Sequence, residues 1–143
     1  MSWEEHHTES EQFANLADIA RKRGDIDESE LYLQAAECEH RALLALDLSK
    51  MRTIGITAIS AIVLYCKANK FGKAKMLTCK MLNGDLSLPA FAEDHMRMLM
   101  QAIRDSEYGE SVRAKVKQQF GIETIWAKLA RIGSGQEART KRQ

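Results

Sequence analysis

One proline, Pro89, stands in the whole chain, and no long run of β-branched residues occurs. Both absences favour helix, because proline is the strongest helix breaker and β-branched runs are the material of strands. The longest apolar stretch, Ile59 to Cys66, is far shorter than the roughly 20 residues of a membrane span, so no membrane contact is expected. The opening Met1-Ser2-Trp3-Glu4-Glu5-His6-His7 is polar and acidic, unlike a signal peptide. Cysteines number three, Cys38, Cys66 and Cys79, without CxxC spacing, which implies free thiols in a reducing, cytoplasmic setting.

Chemical signatures are missing as well. The only Gly-Lys pair is Gly72-Lys73, and Lys67 stands where a phosphate loop needs its first glycine. No GxSxG occurs, and nothing marks a Cys–His nucleophile pair. Glu-x-x-His occurs twice, at Glu4/His7 and Glu37/His40, as in di-iron bundles. Such bundles also need a Glu from each of two other helices, and the helix expected over residues 50–68 holds no carboxylate. Cys38 and His40, two apart, point to different helix faces. No catalytic residue, metal or cofactor is therefore assigned, and the chain is read as a non-enzyme. His6 and His7 are expected in solvent, and His95 is expected to be packed or capped.

The most telling gap is in charge. Between Leu48 and Gly84 there is no carboxylate, while Lys50, Arg52, Lys67, Lys70, Lys73, Lys75 and Lys80 fall in that window. Residues 1–50 carry a balance of −7, residues 51–110 one of +2, and residues 111–143 one of +6. Solvated faces balanced across the fold account for this most simply. A basic surface for an acidic partner, or head-to-tail self-association, are the functional alternatives.

What is present is helical periodicity. Phe13, Leu16, Ala17 and Ala20 predict a first helix from Thr8 to Arg23, stopped by Gly24. Asp25 with Glu28 predicts a capping box for a second helix, Ile26 to Leu46. Its apolar set is Leu31, Leu33, Ala36, Leu43, Leu44 and Leu46. Ser49 is expected to cap a third, Lys50 to Ala68, which is apolar nearly all round and so must be covered on several sides. Its only polar interior residues, Thr53, Thr57 and Ser60, are each able to bond back to their own helix. Arg52 is expected to pair with Glu37 or Glu39. A fourth helix, Phe71 to Leu82, ends at Asn83-Gly84, and a fifth, Pro89 to Ser106, carries the stripe Ala92, Met96, Leu99 and Ile103. The methionines Met76, Met81, Met96, Met98 and Met100 are read as core rather than as a docking surface. Residues 111–132 are expected to add C-terminal helices, and residues 133–143 a disordered basic tail. The fold class is thus all-α: one domain over 1–132, with hairpins at 8–46 and 49–83 and a further helix at 89–106.

The two hairpins echo each other. Phe13, Leu16, Ala17, Gly24, Ile26 and Ala36 in the first, and Tyr65, Asn69, Phe71 and Ala74 in the second, resemble the packing slots of tetratricopeptide repeats. Equivalent positions are 45 residues apart, against about 34 in that family. The resemblance covers residues 10–90 and implies a stack of antiparallel hairpins. It also implies an adaptor or regulatory subunit that docks onto another protein, by a helix or an acidic peptide segment. By register, the implied groove face is Ile56, Ile59, Val63 and Cys66, with Lys67 at its end. Arg52, Lys70, Lys73 and Trp126 complete the expected protein-binding set. The groove is filled either by the chain's own C-terminal helix, with Ile125, Trp126 and Leu129, or by a partner helix; self-filling is preferred for the free protein. The carboxylate clamp of some members is absent, since its places hold Ala14, Asp18, Ile59 and Val63. Nucleic acid, contacted by the fourth-helix lysines with Arg139, Lys141 and Arg142, is the second-ranked partner.

Overall fold

In the computed structural model, residues 1–106 are described. Among them the chain is all-helical: α1 Trp3–Arg23, α2 Glu28–Leu44, α3 Met51–Lys67, α4 Phe71–Asn83 and α5 Ala90–Ser106. The calls on 111–132, Trp126 and the tail lie outside the described residues.

Helix α1 starts five residues before the predicted Thr8. Ser2 caps it, its hydroxyl accepting from the Glu5 amide at 3.2 Å. Trp3 then pins the first turn, stacking on His7 at 4.8 Å and donating its indole N–H to the Thr57 hydroxyl of α3 at 3.0 Å. The terminus is held by tertiary contacts that no local pattern announces. Gly24 ends the helix at φ 71, as expected of a left-handed stop. The buried face of α1 is Ser10, Ala14, Ala17 and Ala20, rotated from the predicted stripe so that Leu16 lies half in solvent. Small side chains let α1 approach α2 closely, and Ser10 donates across the seam to the Ala35 carbonyl at 2.8 Å.

The predicted capping box at Asp25 does not form: α2 begins after Asp27, without a side-chain cap bond, and Ile26 is exposed. Ser49 does not cap α3. Its amide instead bonds the Asp47 carboxylate at 2.8 Å, and Lys50 takes the cap position. Every residue of α3 from Ile54 to Lys67 is buried, as its all-round apolarity requires. Contacts run from α1 to α2, from α2 to α3, from α3 to both α4 and α5, and from α4 to α5. Burial of Ile59, Ile62, Leu64, Met96 and Leu99 contributes roughly 1.5–3 kcal/mol each against unfolding. Gly55 permits the α3–α5 crossing, since a Cβ there would lie 2.8 Å from that of Ala92. The predicted α5 stripe is fully inside. Asn69, at φ 62, turns α3 into α4.

Thr57 and Ser60 each bond another helix, Thr57 accepting from Trp3 of α1. Ser60 donates at 2.8 Å to Glu39, a buried α2 carboxylate that also meets His7 Nδ1 of α1 at 2.9 Å. His7 is therefore not in solvent. Burial pulls its pKa down, but Glu39 and Glu11 together outweigh this and leave it raised. Glu37, two residues earlier on α2, faces Lys73 at 3.4 Å. No described helix is long and apolar enough to cross a membrane.

Candidate protein-docking cleft

Two helices set their faces opposite one another above α3. Glu37, His40, Arg41 and Leu44 stand at i, i+3, i+4 and i+7 of α2. Lys73, Met76, Leu77 and Lys80 repeat that spacing on α4, and Tyr65 of α3 lies between them. Together they line a cleft of about 430 Å³. Leu44 and Met76 are 71% and 72% exposed, far more than a packed core would leave them.

The polar groups of the cleft are arranged around Tyr65. Its hydroxyl lies 2.9 Å from His40 Nδ1, and the two rings meet edge to face at 5.9 Å. The Lys73 ammonium sits 5.9 Å from the Tyr65 ring centroid and 3.4 Å from Glu37 Oε1. Burial first, then the Lys80 and Lys73 charges, push the His40 pKa below its ordinary value, against a pull upward from Glu37. Burial and Glu37 push the Tyr65 phenol up. The imidazole is therefore neutral near pH 7, in a cleft whose fixed charge is positive.

The expected binding residues scatter. Ile59 and Val63 are wholly buried and Ile56 nearly so, which leaves no open groove on α3. Lys67 is also buried, its ammonium 5.5 Å from the ring centroid of Tyr32, a residue that in turn donates to Asp18. Arg52 is exposed in the first turn of α3, Lys70 is exposed at the start of α4, and Trp126 lies outside the described residues. Of the predicted set, only Lys73 lines the cleft. Lys80, one of the fourth-helix lysines, lines it too, whereas nothing along the chain marks His40, Arg41, Leu44, Tyr65 or Met76 as binding residues. Their signal was the shared i, i+3, i+4, i+7 spacing on two helices, which is invisible until the helices are seen side by side. The methionines divide: Met81, Met96 and Met100 are core, while Met76 and Met98 face solvent. His95 bonds the Phe91 carbonyl of its own helix at 2.6 Å, as a packed histidine should.

Among the described residues, no group of three or more His, Cys, Asp or Glu side chains is placed to hold a metal ion. Cys38, Cys66 and Cys79 are free thiols. No family model matches the chain, nor does any curated protein or solved structure.

Proposed function

We propose that this protein is a non-catalytic docking module, an adaptor or regulatory subunit that receives a helical segment of a protein partner. The observation that carries this reading is the α2–α4 cleft, where two matched helical faces leave Leu44 and Met76 in solvent over a buried α3. A helix laid in such a groove would complete the packing that α2 and α4 leave unfinished. We read the antiparallel hairpins α1–α2 and α3–α4 as tetratricopeptide-like. The cleft nevertheless lies on the second helix of each hairpin, whereas the resemblance puts the binding face on the first. The apolar floor and the Glu37 carboxylate favour a protein over a nucleic acid.

Co-purification from source cells after nuclease treatment tests the reading, with the unmodified chain and Leu44→Asp/Met76→Asp compared. Both positions are exposed, so the variant should keep its helical circular dichroism and melting temperature. A stoichiometric protein retained by the unmodified chain and lost by the variant is the expected result. Equal recovery by both, or recovery of nucleic acid alone before nuclease, would overturn it.

A further inference from the structure

The charges of the cleft are unequal. Arg41, Lys73 and Lys80 face one carboxylate, Glu37, and Lys73 already spans it. Neither Arg41, which donates to Cys38 Sγ at 3.4 Å, nor Lys80 has an ion pair among the described residues, and His40 lines the same cleft. The apolar residues Leu44, Met76 and Leu77 share the same cleft. Resting on the docking reading above, we infer that the cleft selects an acidic amphipathic helix of a partner protein. Its apolar stripe seats on Leu44, Met76 and Leu77, and its carboxylates meet Arg41, Lys80 and His40.

Geometry and charge both narrow the occupant. A face of i, i+3, i+4, i+7 runs about 10 Å along a helix axis, so two turns of ligand fill it. The chain's own C-terminal segment fits poorly, because residues 111–143 carry +6 into a cleft already positive. A second copy could offer the acidic side of α1 (Glu4, Glu5 and Glu9) to the cleft of the next molecule, a head-to-tail contact. Such a contact joins two different surfaces and so builds rings or filaments, whereas a partner helix fills the cleft of a single molecule.

Binding is linked to protons through His40. In the free protein its ring is held neutral by burial and by Lys80 and Lys73, with Arg41 and Glu37 on α2 and Tyr65 on α3 also facing it. Nδ1 is engaged by Tyr65, and Nε2 is the remaining nitrogen. An arriving carboxylate offsets the lysines and stabilises the imidazolium, so the ligand binds with uptake of a proton. Affinity therefore rises as pH falls, by up to about tenfold per pH unit between the free and bound pKa values.

The test is a selection of randomised helical peptides displayed against the full chain at about pH 6. Binding of the winning peptide, and of its Asp/Glu-to-amide version, is then measured by fluorescence anisotropy at about pH 6 and about pH 8. We expect acidic amphipathic winners. Leu44→Asp should abolish their binding, Lys80→Glu should weaken it at least about tenfold, and His40→Gln should remove the pH dependence. Winners that are neutral or basic yet still need Leu44 would overturn the acidic selectivity and leave the docking reading standing. No enrichment, or winners indifferent to Leu44→Asp, would overturn both. Concentration-dependent growth in sedimentation that Lys80→Glu abolishes would replace the partner protein with a second copy.

Discussion

Replacing Glu39 by Ala should destabilise the protein more than any other single polar substitution in α1–α3. The carboxylate is 1% exposed and receives His7 Nδ1 at 2.9 Å from α1 and the Ser60 hydroxyl at 2.8 Å from α3. One side chain on α2 thus ties three helices. Removing one member of a buried ion pair costs about 3–5 kcal/mol, chiefly because the other is left uncompensated. Here the cost falls toward the low end, about 3 kcal/mol, because His7 keeps Glu11 at 3.2 Å and can shed its proton. For a chain of this length that corresponds to a fall of about 6–12 °C in melting temperature. The pH dependence gives a sharper check. The His7 pKa is raised in the folded state, so its contribution is fully present below the unfolded value near 6.5. It fades as pH rises through the folded value. Urea unfolding at several pH values across that window should show unmodified protein losing stability as pH rises. Glu39→Gln and His7→Phe should each flatten the curve. A loss below about 1 kcal/mol in Glu39→Ala, or an unchanged pH slope in Glu39→Gln, would refute the argument.

Three further outcomes are expected. Gly55→Ala should cost about 1–3 kcal/mol in urea unfolding, because its Cβ would meet that of Ala92 at 2.8 Å, while Gly72→Ala, with open space around it, should be neutral or slightly stabilising. Ile59→Asp should abolish the cooperative thermal transition rather than merely a binding activity, since the side chain is wholly buried and its charge would have no partner. In native protein a thiol reagent should modify half-buried Cys79 first. Burial pushes the Cys66 thiol up to about 12 and raises that of Cys38, so both should react only on unfolding, as mass spectrometry of timed quenches would show.

Much of the helix plan was legible along the chain. Gly24 and Asn69 ended helices where predicted, and the stripe Ala92, Met96, Leu99, Ile103 lies fully inside. These features depend on neighbours within a few residues. Starts were less legible than stops. Asp25 and Ser49 both have capping chemistry, but neither caps, and the true start of α1 depends on Trp3 reaching Thr57 of α3, 54 residues away. The phase of α1 differs from its apolar pattern because Leu16 looks like core along the chain, whereas close packing against α2 rewards Ser10, Ala14, Ala17 and Ala20.

The sequence by itself determined the all-helical character, the helix stops, and the need for α3 to be covered all round. Those follow from backbone propensity and from periodicity, which are local properties. Only the tertiary structure decided which surface remained available. A residue's exposure depends on what packs over it, so Ile59 and Val63, the most attractive groove residues in the sequence, lie sealed in the core. Leu44 and Met76, which read as core, stand open above Tyr65, because α2 and α4 flank α3 without closing over it. The same packing placed His40 among lysines distant in sequence and joined Glu39 to His7 and Ser60. These charges acquire their roles from helices meeting across the fold.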